Sequence, residues 1–328
     1  MKQLTKTQLK ILQHLADGQC HSGHLLGEKL GVSRTAIWKQ IKQLALLGLP
    51  IKQISHEEYQ LTHPLCPLDE ASIRCHLAKT PFKKEFYFHL FASIGSTNQF
   101  LKELPLDSAI HFCCAETQTK GRGRFGRNWV SPFGENIYFS SRWEFNSPLS
   151  SLSGLSLVVG LAILASLKEN QIENDIRLKW PNDLMWQNKK LAGILIEVIA
   201  ETKGCAQIII GIGLNVNTAT VDNTLVDKPW CSLYEITKRY FDRNQLLASL
   251  IHHLFQFLEQ FLLAGFARFM EQWQNVDYLQ GKLIRVNQPN HSLSGYACGI
   301  NELGQLCLKD EQGKTHYLST GDTSLSGF

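Results

Sequence analysis

The chain has 328 residues, 44% hydrophobic and 19% charged, which is ordinary for a globular protein and leaves room for two or three domains with a substantial core. No run approaches the roughly 18 consecutive apolar residues of a membrane span, and the opening Met1-Lys2-Gln3-Leu4-Thr5-Lys6 lacks the apolar core of a secretory leader, so a cytoplasmic protein without a membrane partner is expected. Nine scattered cysteines without a Cys-x-x-Cys pair, and twelve histidines without His-Glu-x-x-His, argue against a disulfide framework and against a protein-held metal.

Charge is unevenly placed. Residues 1–62 hold eight Lys or Arg against four Asp or Glu, a net of +4, which is the formal net charge of the whole chain. A basic first module on a neutral remainder points to a nucleic-acid partner for that module only. Within it, residues 8–16 carry Leu9, Ile11, Leu12 and Leu15 at helical spacing, and Ser22 precedes Leu25, Leu26 and Leu30 before the break at Gly31. Ser33 is an N-cap for a third helix over 34–47, where Ile37, Ile41 and Leu44 share one face. Arg34, Thr35, Trp38, Lys39 and Lys42 share the other face. This is helix-turn-helix logic, with the lysines and Arg34 placed for phosphates and Thr35 or Trp38 for base edges. The plainer alternative is a small helical domain with a solvated face. Residues 51–61 read as a two-stranded wing with His56-Glu57-Glu58 at its tip, whose carboxylates would be repelled by a phosphate backbone. Pro64 and Pro67 mark a linker.

Beyond the linker, strand and helix patterns alternate. Residues 69–77 read as a helix; 86–94, 110–116 and 136–145 read as strands; 151–168 reads as a helix with Leu152, Leu155, Val159, Ile163 and Leu167 inward. Residues 176–180, 191–200 and 206–212 are branched and strand-like, and 243–273 is a long apolar helical stretch broken near Gly265. A mixed sheet covered by helices follows. From about Leu279, short extended runs between polar turns predict a small all-β module.

Between two of these strands lies the most distinctive stretch, residues 121–134, in which Arg122, Arg124 and Arg127 alternate with Gly121, Gly123 and Gly126. The glycines match a dinucleotide fingerprint, but Pro132 and Gly134 would stop the helix that such a fingerprint must open. The stretch reads instead as a mobile cationic lid that orders around an anion, or more plainly as a solvated basic turn. Further polar groups stand at strand ends: Ser96-Thr97-Asn98, Lys179-Trp180-Pro181-Asn182-Asp183, Lys189-Lys190-Leu191-Ala192-Gly193 and Gly211-Ile212-Gly213-Leu214-Asn215, the last with glycines that let backbone approach a flat ligand.

Taken together, Gly-Arg-Gly-Arg-x-Gly-Arg-x-Trp, Lys-Trp-Pro-Asn-Asp, Lys-Leu-Ala-Gly-Ile and Gly-x-Gly-x-Asn, in this order, resemble the biotin–protein ligases. The stretch from His21 to Leu44 is similar to the DNA-binding helices of the bifunctional bacterial type, which is both ligase and repressor of the biotin operon. The resemblance implies three domains: a winged helix-turn-helix at 1–65, a class II synthetase-like catalytic domain at 66–275 and an SH3-like β-barrel at 276–328. It also implies biotin and ATP as substrates, with Mg2+ delivered on ATP, and biotinyl-5′-adenylate as both intermediate and corepressor. The implied partners are a biotin carboxyl carrier protein with its acceptor lysine, biotin-operon DNA, and a second copy of the chain when adenylate is bound. By the match, Ser96, Thr97, Asn98, Gln118, Gly121, Arg122, Gly123, Arg124, Arg127, Trp129, Lys190, Gly193, Asn215 and Trp230 bind biotin or the adenylate. Arg124 and Lys190 would neutralise the acyl phosphate, with Asp183 orienting Lys190 or the incoming lysine. Ser22, Ser33, Arg34, Thr35, Trp38, Lys39 and Lys42 would face DNA, and the acidic wing departs from the family's Gly-Lys-Gly tip, leaving ligase-only activity as the alternative.

Overall fold

In the computed structural model, which describes residues 2–55, 57–202, 204–219, 228–288 and 291–325, the first helices begin where side-chain oxygens can cap them. Thr5 and Gln8 form a reciprocal capping box on α1 (Lys6–Leu15). After β1 (His21–Ser22), Ser22 caps α2 (Gly23–Leu30) and Ser33 caps α3 (Arg34–Leu46). Gly31 ends α2 at φ 66°, in the left-handed region that glycine adopts freely. Ile37, Ile41 and Leu44 are buried as expected, but Leu9 is 37% and Leu25 58% exposed. The polar Gln8 is buried in α1, its amide donating to Gln43 at 3.0 Å. The wing, β2 (Ile51–Gln53) and β3 (Glu58–Leu61), gains β1 as a third antiparallel strand. His56 of the expected wing tip lies outside the described residues. Two residues from far along the chain, Ala92 and Phe133, join this N-terminal core.

The central sheet takes its strands in the order β4-β5-β6-β10-β9-β8-β7. After α4 (Glu70–Ala78), β4 (Phe86–Phe91), α5 (Thr97–Glu103) and β5 (Ile110–Ala115) form a strand–helix–strand unit whose two strands run parallel. β6 (Ile137–Phe145) follows the arginine loop, α6 (Leu155–Glu169) crosses over, and β7 (Arg177–Lys179), β8 (Asp183–Trp186), β9 (Lys189–Thr202) and β10 (Cys205–Leu214) complete an otherwise antiparallel sheet. The helix expected from residue 151 starts only at Leu155, because Gly154 takes φ 83° and residues 149–152 form a 3-10 turn. β8 was not expected. Lys179 and Asp183 pair across a tight hairpin, so the Trp180-Pro181-Asn182 segment is its turn, with a cis bond before Pro181.

Short α7 (Leu233–Thr237) precedes α8 (Arg243–Ala264), which ends at Gly265 before a 3-10 turn and α9 (Met270–Val276), so the break falls where composition placed it. By length and composition α8 could cross a membrane, but it packs on α6 and α4 as a core helix. α6 is apolar nearly all round because it is wedged between α8 and the sheet; each fully buried Leu or Ile there contributes about 1.5–3 kcal/mol. The opposite face of the sheet carries α5, whose Leu101 packs on Cys113, Ala115 and Ile209. The C-terminal β11 (Leu283–Asn287), β12 (Ser292–Ile300), β13 (Leu306–Lys309), β14 (Thr315–Leu318) and β15 (Asp322–Leu325) form one antiparallel sheet, in the order β14-β13-β12-β11-β15.

Candidate active site

The arginine loop is closed at its base. Gly134 N–H donates to Glu116 O at 3.0 Å. The Glu116 carboxylate is itself buried, accepting from Leu68 N–H at 2.6 Å and from Arg243 Nη2 at 2.6 Å. Arg243 also donates to Cys66 O and to Asn136 O, each at 2.9 Å, so its charge is fully surrounded by acceptors. A buried pair satisfied in this way specifies position more than it adds stability.

Above that base lie two adjoining cavities, of about 50 and about 180 Å³, which share Gly123, Arg124, Trp129, Asn182 and Lys190 in their walls. The smaller one is walled by the start of α5. Ser96 caps that helix, and Thr97 donates from both its N–H (2.9 Å) and its hydroxyl (3.1 Å) to Gln118 Oε1. Asn98 donates to Glu197 Oε2 at 2.7 Å, and Ser140 Oγ stands 2.6 Å from both Thr97 Oγ1 and Asn98 Oδ1. These groups hold one another in a rigid polar wall, and Arg122, Arg124 and Lys190 bring charge to the same cavity.

The glycines of β9 and β10 turn out to accommodate the protein's own side chains. A Cβ on Gly211 would run into the Asn98 amide; one on Gly213 would lie 2.5 Å from the Trp129 indole, and one on Gly193 3.0 Å from the same ring. The expectation that Gly211 and Gly213 admit a flat ligand is corrected accordingly: the Asn98 amide occupies the space over Gly211, and the flat group over Gly213 is Trp129. Its indole N–H is buried and meets no acceptor among the described residues. Gly121 is required for a similar reason, since a Cβ there would sit 2.5 Å from Trp129 O.

The larger cavity is lined by charge. Lys190 Nζ is 2.7 Å from Asp183 Oδ1, and it lies over the Trp129 ring at 5.4 Å. The Lys190 backbone pairs with the segment carrying Trp230: its N–H donates to Pro229 O at 2.9 Å, and its carbonyl accepts from Cys231 N–H at 3.0 Å. Asn215 Nδ2 fastens the same segment by donating to Cys231 O at 3.0 Å. Arg124 donates to Asn182 Oδ1 (3.4 Å), Gly321 O (3.2 Å) and Thr320 Oγ1 (3.1 Å). Burial pushes the Arg124 guanidinium down from its ordinary range, an effect opposed by Asp183 and Asp322 and reinforced by Arg127. Arg127 forms a two-pronged pair with Asp322 (2.5 and 3.2 Å), which Lys228 approaches at 3.4 Å. Arg122 diverges from the other two, donating to Gln99 on α5 at 3.0 Å. The three arginines of the loop are therefore spread over both cavities.

Asp322, Lys228, Ser140 and Asn182 line these cavities and were not among the expected binding residues. Asn182 stood inside a motif already singled out. Asp322 carries no local signal, because it meets the loop only after the chain has built a separate sheet.

On the N-terminal module, Arg34, Thr35, Trp38, Lys39 and Lys42 stand on the exposed face of α3, with Lys42 Nζ 4.1 Å above the Trp38 ring. Ser22 and Ser33 are occupied as caps, accepting from His24 N–H at 3.3 Å and Ala36 N–H at 3.2 Å. Glu57 does not point outward as a free wing carboxylate. It pairs with Arg34 at 2.7 Å.

Residues 90–215 match the model of the Biotin/lipoate A/B protein ligase family, and residues 7–59 match that of an HTH domain. The chain is 36% identical to the "Bifunctional ligase/repressor BirA" of Salmonella typhimurium, with 94% of each chain covered. It is 30% identical to the protein of the same name from Bacillus subtilis, over 95% of this chain and 96% of that one. Its backbone superposes on the biotin protein ligase of Aquifex aeolicus in complex with biotin and ATP with a TM-score of 0.63 at 29% identity, covering 73% of this chain and 99% of that one. A charge-lined double cavity behind a helix-turn-helix, matched along nearly its whole length by these relatives, makes the chain a member of the bifunctional biotin–protein ligase/repressor family.

Proposed function

We propose that the chain joins biotin to ATP as biotinyl-5′-adenylate and then passes biotin to a lysine of the carrier protein of acetyl-CoA carboxylase. The observation that carries this reading is the placement of Lys190 and Arg124 in the wall common to both cavities. In the first step the biotin carboxylate attacks the α-phosphate, and pyrophosphate leaves. In the second the lysine amine attacks the acyl carbon, and AMP leaves. Both steps develop or expel negative charge, and fixed cations in a partly dry site stabilise such charge without a covalent protein nucleophile. Ser96, Thr97, Asn98, Gln118, Arg122, Gly123 and Gly193 form the biotin end. Arg127, Trp129, Asn215 and Trp230 form the adenylate end, with Gly121 supporting Trp129. Asp183 holds Lys190 in place. Mg2+ comes as part of the ATP substrate, held by phosphate oxygens and water.

The same reading assigns residues 1–65 to a winged helix-turn-helix, 66–275 to a class II synthetase-like catalytic domain and 276–328 to an SH3-like barrel, in a cytoplasmic protein. Adenylate promotes a homodimer on the catalytic domain, and two α3 helices then read two half-sites of biotin-operon DNA. Incubation with biotin, MgATP and an acceptor carrier domain should add one biotinyl group to the acceptor's mass. An unchanged mass, or a preference for lipoate in competition, overturns the assignment. The Arg34–Glu57 pair favours a second reading, ligase activity without operator binding, because the wing already occupies the arginine. Failure of adenylate-loaded protein to shift biotin-operon DNA at moderate salt would select it.

A further inference from the structure

The C-terminal sheet carries two thiols that this chemistry does not use. β12 and β13 pair with Tyr296 opposite Lys309 and Ala297 opposite Leu308, and Cys298 and Cys307 are the next residues of the two strands. Pairing resumes with Ile300 opposite Leu306, one residue out of step, and the extra residue is Gly299 at φ 90°. Two residues of β12, Cys298 and Gly299, thus stand across from the single Cys307 of β13, as in a β-bulge. Alternation along each strand puts both thiols on one face: Ala297, Leu306 and Leu308 are buried in the core, whereas Cys298 is exposed and Cys307 half-buried. Directly opposed residues of an antiparallel ladder have Cα atoms about 4.5–5.5 Å apart. That lies within the span of about 4.4–6.8 Å that a disulfide requires.

Both sulfurs sit near carbonyls of their own strands, Cys298 Sγ 3.5 Å from Tyr296 O and Cys307 Sγ 3.9 Å from Gln305 O. Burial pushes the Cys307 thiol up, and the neighbouring Cys298 adds to the effect, a sign that the two groups sense each other. The other exposed thiols, Cys20 and Cys75, lie at a distance in the chain, between α1 and β1 and on α4.

We propose that Cys298 and Cys307 form a reversible cross-strand disulfide by exchange with a small-molecule disulfide such as oxidised glutathione. The accessible Cys298 thiolate attacks one sulfur of the reagent, releasing one small thiolate and leaving a mixed disulfide. The Cys307 thiolate then attacks Cys298 Sγ and expels the second small thiolate. Two protein thiols are oxidised and the reagent is reduced to two thiols, which take up the two protons that the cysteines lose. Because Cys298 is exposed, the bond is open to exchange with small thiols and is a labile crosslink. It would nevertheless brace a hairpin that supports the ligase site. At the hairpin tip Gly304 O accepts from Trp180 Nε1 at 3.1 Å, and Leu303 O accepts from the Ser153 hydroxyl at 2.5 Å.

The test is to treat the full chain under native conditions with oxidised glutathione, block the remaining thiols with iodoacetamide, and map the digest by mass without reduction. The expected product is a linked peptide pair containing Cys298 and Cys307, lighter by two hydrogens and restored by dithiothreitol. In Cys307→Ser, Cys298 should stop at the mixed glutathione disulfide, and in Cys298→Ser the linked pair should vanish. Recovery of both cysteines of the parent protein as blocked thiols, persistence of Cys298 as a mixed disulfide beside a free Cys307, or linkage of either to another cysteine would overturn the proposal.

Discussion

The two adjoining cavities share a wall but differ in what that wall is made of. On the α5 side of the smaller one, amides and hydroxyls are locked to one another and to one carboxylate: Gln118 to Thr97, Ser140 to Thr97 and Asn98, and Asn98 to Glu197. Around the larger one, full charges pair, Lys190 with Asp183 seven residues away and Arg127 with Asp322 from the far end of the chain. A site of the first kind selects by shape and hydrogen bonding, because an unmatched buried polar group is costly. A site of the second kind exchanges partners readily, since half-exposed ion pairs are weak. The contrast suits a ligase whose one substrate is a neutral ring system and whose other is a polyanion.

Four substitutions would break or sharpen that contrast. Lys190→Ala removes the cation at the shared wall and should slow adenylation by about 100- to 1,000-fold, the usual loss when one electrostatic donor is removed. ATP–pyrophosphate exchange reads this directly, and a near-normal rate would assign the work to another cation. Arg243→Ala leaves Glu116 buried without its partner and should cost about 3–5 kcal/mol, seen as a lowered midpoint in chemical denaturation. Both cavities should suffer together, because the loop above that pair walls both. Gly211→Ala forces Asn98 aside and should act on the small cavity alone, costing about 1–3 kcal/mol of strain. Its signature is a raised KM for biotin with the KM for ATP unmoved; equal changes in both would deny the division of labour.

Asp322→Asn should have the smallest effect, about 0–1 kcal/mol, because Arg127 is 44% exposed. Its pH dependence carries more information. Burial pushes the Asp322 carboxyl up, but the hydrogen bond from Arg127 and the charges of Lys228, Arg127 and Lys179 outweigh it and hold the group below its ordinary range. For a carboxylate depressed in the folded state, the stabilisation is complete above the unfolded value of about 3.9 and is lost as pH falls through the folded value. Hydrogen exchange in residues 121–129 should therefore be flat from neutral pH down to about 5, after correction for the intrinsic rate, and loosen only below about 4. Loosening near neutral pH would show that a different group fastens the loop.

How much of this was legible in the sequence depended on how local the cause was. The Ser33 cap, the inward face of α3 and the break at Gly265 follow from the chain's own periodicity and punctuation, and the structure has them. In α2 the spacing of Leu25 and Leu26 did not say which of the two would be covered; Leu26 is buried and Leu25 is exposed. β8 failed because Pro181 disguised a hairpin as a strand end. In the site, the motif residues were found as types, and Asp183 was set beside Lys190, but the other partners were not foreseen. Nothing around Gly213 announces that its missing side chain is the seat of Trp129, and nothing around Asp322 announces an arginine 195 positions away.

Phe133 sits near the closing end of the arginine loop, yet it is buried in one cluster with Leu15, Leu44 and Leu49 of the DNA-binding module, and a Cβ on Gly48 would lie 3.7 Å from its own. An engineer who trims the first sixty residues to obtain a minimal biotinylation tool would leave that phenylalanine facing solvent. The damage would surface as a leaky catalyst that sheds its reactive intermediate, in a part of the molecule the shears never touched.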